Sequence, residues 1–307
     1  MSLRSAECVR RTGYGGGQLT VEHRPRLVQH LGGVVPRWNM GDHEPQNRVA
    51  GCDVAHLVAQ SERARGSFER TLTVDGPVDL SVRSGSGGIQ IRTGSGDRVQ
   101  VIGKVSAGSS REGLDPAERV RKIEATPPIT QQGNTIRIGD THDDPTYRSV
   151  SISYELVVPE NTRLDAQTGS GSQTIGSVNG AVRAQTGSGS IRIERTGGSL
   201  FAQTGSGNIH ADAVGGDVRA QTGSGSVEVK QTTRGDVSVQ TGSGSVRLSL
   251  PEDAAYTLDA QTGSGSISTA LPLTVQGRTQ RNHLTGTVRG GGNAVRVRTG
   301  SGSIDIK

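Results

Sequence analysis

A phrase of about 18 residues recurs along most of this chain. Residues 184–230 read AQTGSGSIRIERTGGSLFAQTGSGNIHADAVGGDVRAQTGSGSVEVK. The letters TGSG begin at positions 93, 168, 186, 204, 222, 241, 262 and 299, and successive copies from 168 are separated by 18, 18, 18, 19, 21 and 37 residues. A fixed period of this length is typical of a solenoid, in which each repeat stacks on the next.

Each period predicts two short β-strands joined by glycine turns. Val182 and Ala184 alternate with polar residues, the chain turns at the glycines of TGSG, and Ile191 and Ile193 again alternate with polar residues. A second glycine turn follows at Gly197. Alternation with period two is the pattern of a strand with one buried face. The sequence therefore predicts an all-β fold, a β-solenoid with about 18 residues per coil.

Adding the period places residues of the same kind above one another. The apolar columns are Val182, Leu200, Val218, Val237 and Leu258, then Ile191, Ile209, Val227, Val246 and Ile267 with Ile304 later, and the small column 184, 202, 220, 239 and 260. Because a one-residue slip would turn these columns outward, we expect them to fix the register and form the core. The gap of 37 residues predicts one degenerate coil around residues 283–292.

The repeat pattern also predicts the division of the chain. Residues 1–66 lack periodicity, so we interpret them as an irregular, poorly ordered extension, and residues 67–307 as the solenoid domain. One short helical insertion is expected at about 114–125, LDPAERVRKIEA, because Asp-Pro is a typical helix start. Both cysteines lie in the extension, which predicts no disulfide framework.

Composition excludes several classes of protein. Glycine occupies 46 positions, but Val and Ile recur too regularly between the glycines for a disordered linker. The net charge of +5 is spread over both signs and aromatics are 2%, so we expect no nucleic-acid binding. The sequence predicts no transmembrane helix and no signal peptide, since no apolar segment follows the N-terminal charges.

The TGSGS phrase itself resembles a glycine-rich ligand-binding loop only in composition. A phosphate-binding loop needs Lys followed by Ser or Thr and opens a helix, whereas here Ile or Val follows and begins a strand. Repeated calcium sites need repeated carboxylates, but Asp97 is the one carboxylate that follows a copy. We therefore interpret the phrase as a corner whose glycines adopt a positive φ.

Candidate metal and catalytic groups are sparse. A metal site would be formed by Asp140, His142, Asp143 and Asp144, or by Cys52 with His56, but a solvated loop and a chance spacing explain both patterns better. Glu194 and Asp212 form the one carboxylate pair across neighbouring coils, on an exposed face without a cleft. We expect no enzymatic activity, no cofactor and no metal. A polysaccharide-cleaving enzyme would need longer loops to build a groove.

The outward columns supply the candidate binding face. Phe201 is expected between Arg183 and Arg219, where guanidinium groups would stack on its ring. Beside it run glutamines, Gln167, Gln185, Gln203, Gln221, Gln240 and Gln261, which would either bind a partner or form a hydrogen-bonded ladder between coils. We predict a binding face made of Arg183, Phe201, Arg219, Gln185, Gln203 and Gln221, with an unknown protein or envelope component as its partner.

A self-assembling intracellular scaffold is the alternative function. The chain ends in a strand, SGSIDIK, with no evident cap. An open strand edge can pair with another copy, which would give end-to-end self-association, although Asp305 and Lys307 would weaken it.

Three segments resemble a known family: the AQTGSGS phrase, RSVSISYELVVPENTRLDAQTGSGS, and the preceding VRKIEATPPITQQGNTIRIG. Together they are similar to the bacterial putative-adhesin β-solenoid family, domain of unknown function 4097, over about residues 67–307. The resemblance implies a right-handed β-helix-like solenoid in an exported or envelope-attached protein, with no catalytic motif to transfer. The chain departs from the usual pattern in lacking an apparent leader, so the sequence leaves the compartment open.

Overall fold

The computed structural model describes residues 63–109, 115–141, 144–275 and 280–307. Within these ranges the chain is mostly β, with one α-helix and two long sheets of 11 and 12 strands. The extension predicted over residues 1–66 lies outside the described residues up to residue 62.

In chain order the first elements are β1 (Ala64–Thr73), β2 (Val78–Ser86), β3 (Ile89–Thr93), β4 (Arg98–Ala107), α1 (Pro116–Ala125), β5 (Ile129–Gln132), β6 (Thr135–Ile138), a 3-10 turn (Pro145–Tyr147), β7 (Val150–Val158), β8 (Thr162–Ser170) and β9 (Gln173–Val178). The repeat region gives β10 (Val182–Ser188), β11 (Ile191–Thr196), β12 (Leu200–Ser206), β13 (Ile209–Val214), β14 (Val218–Ser224), β15 (Val227–Gln231), β16 (Val237–Ser243) and β17 (Val246–Ser249). The last elements are β18 (Tyr256–Ser264), β19 (Ile267–Thr269), β20 (Leu273–Val275), β21 (His283–Val288), β22 (Asn293–Ser301) and β23 (Ile304–Ile306).

Consecutive strands alternate between the two sheets through the repeat region. The first sheet has the order β1-β4-β7-β3-β9-β11-β13-β15-β17-β23-β19, and the second has the order β20-β21-β18-β22-β16-β14-β12-β10-β8-β2-β6-β5. We call two consecutive strands, one in each sheet, a rung; β10 and β11 form one. Rungs stack by parallel pairing, and Val182 pairs with Leu200, which is followed by Val218 and Val237. The predicted inward columns are confirmed in this region, and their members are buried.

The TGSG corner is held by close backbone approach and by threonine. Gly207 has φ +150°, which a residue with a side chain rarely adopts. A Cβ on Gly205 would lie 2.6 Å from the carbonyl oxygen of Gly187 on the next rung. The Thr204 hydroxyl is buried and donates to the carbonyl oxygen of Gly189 at 2.9 Å. The phrase therefore joins one rung to the next.

The C-terminal strands do not follow the order of the sequence. We predicted Val237 against Leu258 and Val246 against Ile267, but β22 lies between β16 and β18, so that Val237 pairs with Val295 and Val295 with Leu258. In the first sheet, β23 likewise lies between β17 and β19. These stacking predictions are wrong, because the strands of the last TGSG copy, β22 and β23, lie between strands that come earlier in the sequence.

The segment that precedes β22 explains this change in strand order. Residues 283–292, predicted as a degenerate coil, instead contain β21, which pairs antiparallel with β18 and with β20. This hairpin occupies one edge of β18 and leaves its other edge to β22. The chain enters β22 through Arg289, Gly290 and Gly291, whose φ angles are all positive.

The prediction that the C-terminal strand has a free edge is also wrong. Ile304 of β23 pairs with Val246 on one side and with Ile267 on the other, so this strand is internal to its sheet. The strands that end the two sheets here, β19 and β20, are three residues long. Short edge strands give little template for pairing with a second copy. The reason for predicting end-to-end self-association is thereby removed.

The helix lies near the other end of the sheets. It runs from Pro116 to Ala125, within the predicted 114–125, and the Asp115 carboxylate caps it by accepting the Ala117 N–H at 3.1 Å. Arg119 is buried and donates to the carbonyl oxygens of Gly108 and Arg148. The helix thus closes the sheet end beside β1 and β4.

Candidate functional site

The predicted binding face lies on the outer side of the second sheet. Arg183, Phe201 and Arg219 occupy directly paired positions on β10, β12 and β14. Two residues further along the same strands, Gln185 pairs with Gln203, which pairs with Gln221. All six side chains point away from the core, because their neighbours in each strand are the buried columns. The structure thus brings all six predicted residues together.

Phe201 is the centre of this face. It is half-buried, and the guanidinium carbon of Arg183 lies 4.3 Å from its ring centroid. The guanidinium carbon of Arg219, on the other side, lies 5.9 Å from the same centroid. Cation–π contacts at exposed sites contribute about 0.5–1 kcal/mol each. The ring therefore helps to orient both arginines, and Arg183 is also held by the hydrogen bond that its Nε donates to Gln185 Oε1 at 3.2 Å.

The glutamine column is only partly a hydrogen-bonded ladder. Gln185 Nε2 donates to Gln203 Oε1 at 3.1 Å, and Gln167 Nε2 donates to Asp165 at the same distance. Within the described part of the chain, Gln221 and Gln240 make no side-chain hydrogen bond. Their amides can bond to another molecule without breaking a contact of the fold.

Two shallow grooves follow these columns. One, of about 810 Å³, is lined by Arg183, Phe201 and Arg219 together with residues of the paired strands. The other, of about 880 Å³, runs along Gln167, Gln185 and Gln203. Both are open depressions on the sheet face, which suit an extended ligand better than an enclosed small molecule.

One residue of this face could not be placed from the repeat period. Arg296 on β22 pairs with Ser238 on β16, and Ser238 pairs with Arg219. If the strands were stacked in the order of the sequence, Arg296 would lie beyond Asp259 instead. The signal for its true position is the gap of 37 residues with its glycine run, Gly290–Gly292.

The candidate metal residues do not form a site within the described residues. Asp140 pairs with Arg83 at 3.4 Å, and the Asp144 carboxylate accepts the Thr146 N–H at 2.8 Å. His142, Asp143, Cys52 and His56 lie outside the described residues. No group of three or more His, Cys, Asp or Glu side chains in the described ranges is arranged to hold a metal ion.

Asp212 and Glu228 on the first sheet's outer face belong to a row of charge pairs, whereas Glu194 forms no ion pair among the described residues. His210 Nε2 lies 2.7 Å from Asp212 Oδ1, and His210 Nδ1 lies 3.3 Å from Glu228 Oε2. Arg247 lies 3.4 Å from Glu228 on the next strand. Alternating charges on neighbouring strands stabilise an exposed sheet face.

The perturbed pKa values have structural causes. Burial raises the pKa of Tyr154, with a smaller contribution from Tyr147. A hydrogen bond from Lys104 lowers the pKa of Glu155, and hydrogen bonds from Thr146 lower the pKa of Asp144. Each shift follows from packing or a local contact and calls for no catalytic role.

Taken together, two stacked sheets of repeated strand pairs, with guanidinium and amide side chains along one outer face, define a β-repeat protein. The chain belongs to the Toastrack DUF4097 family, whose model matches residues 79–307. The resemblance seen in the sequence is thereby confirmed. Among the described residues, no helix has the length and apolar character needed to cross a membrane.

Two solved structures are similar to this chain. One is a putative cell adhesion protein from Clostridium sporogenes, with 14% identity and a TM-score of 0.32, and the match covers 79% of this chain and 99% of that one. The other is a putative adhesin from Bacteroides fragilis, with 10% identity and a TM-score of 0.33, covering 79% and 97%. No curated protein matches this sequence significantly.

Proposed function

We propose that this chain is a non-catalytic, adhesin-like binding module of the bacterial cell envelope. Its solenoid is right-handed, has about 18 residues per coil, and begins near residue 67 after a separate extension. Arg183, Phe201 and Arg219, with the adjacent glutamines, form the surface that contacts the partner. Family membership supports the class of protein, and the names of the similar structures agree with it.

The stack of two arginines on Phe201 is the observation that carries the proposal. Arginine and aromatic residues are enriched where proteins bind partners, and a half-buried aromatic between guanidinium groups costs little entropy to order. Maintaining the fold does not require it, because the equivalent outward position on β16 is Ser238. A surface that only needs solubility would use charged pairs such as those of the first sheet.

Replacing Arg219, Gln203 and Gln221 together with alanine is expected to weaken binding to envelope fragments at least tenfold, which is about 1.4 kcal/mol. The measurement is co-sedimentation of the purified chain with envelope preparations from the source bacterium. The matched control replaces Arg192, Gln90 and Ser249, exposed or half-buried residues on the first sheet, so that each variant loses one positive charge. Equal loss in both variants, or none in the first, contradicts the placement of the face.

A further inference from the structure

Arginines recur on alternate strands of the second sheet. The outward column that contains Phe201 reads Asp165, Arg183, Phe201, Arg219, Ser238, Arg296 and Asp259 on consecutive strands. We call Arg183, Arg219 and Arg296 the arginine row. Adjacent strands are about 4.8 Å apart, so the row repeats every roughly 10 Å. Between its members lie an aromatic ring and a hydroxyl, both uncharged.

The inserted strand creates the third position of the row. Arg296 occupies it because β22 lies between β16 and β18. The insertion also fixes the local backbone, since the Asp236 carboxylate accepts the Ala294 N–H at 2.9 Å. The order of strands in space, rather than in sequence, therefore sets the interval.

The guanidinium groups of the row are available to a ligand. Within the described residues, none of the three forms an ion pair. The nearby acids have other partners. Asp165 and Asp259, at the positions directly paired with Arg183 and Arg296, contact Gln167 and His283. Asp217 accepts the Asp236 N–H at 2.9 Å, and Asp236 accepts from Ala294. Stacking on Phe201 engages the face of the Arg183 guanidinium and its Nε donates to Gln185 Oε1 at 3.2 Å, so the two terminal amino groups stay open to an anion.

The spacing of roughly 10 Å between members of the arginine row favours some classes of anionic polymer over others. Phosphates along one strand of duplex DNA advance by about 3.4 Å each along the helix axis, which places charge where the row has none. Extended peptides are commonly bound at a sheet edge, but the strands of this face, β10, β12, β14, β16 and β22, are each paired on both sides. In an extended polysaccharide each pyranose advances by close to one strand spacing. An anionic group on every second sugar therefore matches the row.

We infer that the arginine row binds a linear acidic polysaccharide in which a uronate alternates with a neutral sugar. This inference rests on the proposed function and names the ligand of the same face. Each guanidinium bonds one carboxylate, and the neutral sugars lie over Phe201 and Ser238. The unpaired amides of Gln221 and Gln240, on the same strands, donate to sugar hydroxyls.

The ends of the row limit the length of the ligand. Asp165 precedes Arg183, and Asp259 follows Arg296. Both acids lie one strand from an end arginine, and the next uronate positions, two strands away, are occupied by the uncharged Ser81 and Thr285. Affinity therefore rises with each uronate up to three and then stays constant.

Hyaluronate oligosaccharides, in which glucuronate alternates with an N-acetylated sugar, test this inference by titration calorimetry on the full chain. At low ionic strength, where surface charge is least screened, we expect measurable binding of the hexasaccharide, which carries three uronates, and no further gain for longer chains. Arg219→Gln and Arg296→Gln should each weaken binding about five- to tenfold. Arg192→Gln, with the same change of charge on the first sheet, should leave it unchanged.

Three results overturn the inference. One is absence of binding to the hexasaccharide, another is equal loss in Arg192→Gln and Arg219→Gln, and the third is tighter binding of oligogalacturonate, polyglutamate or duplex DNA. If envelope binding still depends on Arg219, Gln203 and Gln221 while hyaluronate does not bind, the proposed function stands and the ligand class is wrong. If neither is observed, both are wrong.

Discussion

Replacing Gly205 with alanine is expected to lower the free energy of unfolding by about 2–3 kcal/mol. The added Cβ would lie 2.6 Å from the carbonyl oxygen of Gly187. That oxygen belongs to backbone fixed on the neighbouring rung, so the strain cannot be relieved by moving a side chain. Urea denaturation followed by circular dichroism measures the effect.

Gly85 provides the matched control for this substitution. It is the first glycine of the related SGSG at residues 84–87, but a Cβ there meets no atom within 4 Å. Gly85→Ala is expected to be neutral, or to stabilise by up to about 1 kcal/mol through lower entropy of the unfolded chain. Equal destabilisation by the two substitutions would show that stacking of the corners is not the cause.

Replacing Val297 with aspartate should cost at least about 3 kcal/mol, because an unpaired carboxylate would enter the core. Val297 is fully buried between Val239 and Ala260 on the two adjacent strands. We expect this change to be as severe as Val239→Asp in the preceding rung, measured by thermal and urea unfolding.

The neighbouring outward position serves as the control. Arg298→Ser, on the exposed side of the same strand, should change stability by less than about 1 kcal/mol. A mild effect of Val297→Asp, close to that of Arg298→Ser, would mean that β22 is a dispensable end strand.

The repeat period predicted the regular rungs well. From β8 to β16, the spacing of TGSG copies gives the pairing register directly, and the alternation of residues gives the buried face. Arg183, Phe201 and Arg219 were therefore placed correctly from the sequence. Only part of the glutamine column is hydrogen-bonded, because each amide can rotate toward solvent, and the sequence contains no information on that choice.

The order of the last rungs could not be predicted from the same pattern. Val237, Leu258 and Val295 are all apolar, so every order of stacking buries an equivalent column. The hairpin of β20 and β21 decides the order by covering one edge of β18, and this is a tertiary effect. Arg296 was missed for that reason.

The core also contains a residue that the apolar columns did not predict. Gln173 is fully buried beside Ile191, and its amide donates to the carbonyl oxygens of Ala166 and Gln185. A buried polar side chain is tolerated where it has hydrogen-bond partners. Its position in the column follows from the period, but its bonds depend on the three-dimensional packing.

Disulfide trapping tests the inserted strand most directly, and with it the arginine row. In a Cys8→Ser, Cys52→Ser background, Ser238→Cys with Arg296→Cys joins directly paired positions, whereas Ser238→Cys with Asp259→Cys joins positions two strands apart, roughly 10 Å. A disulfide needs Cα atoms within about 7 Å. The account predicts a disulfide in the first variant and none in the second, by mass spectrometry of non-reduced peptides. The reverse result would contradict it.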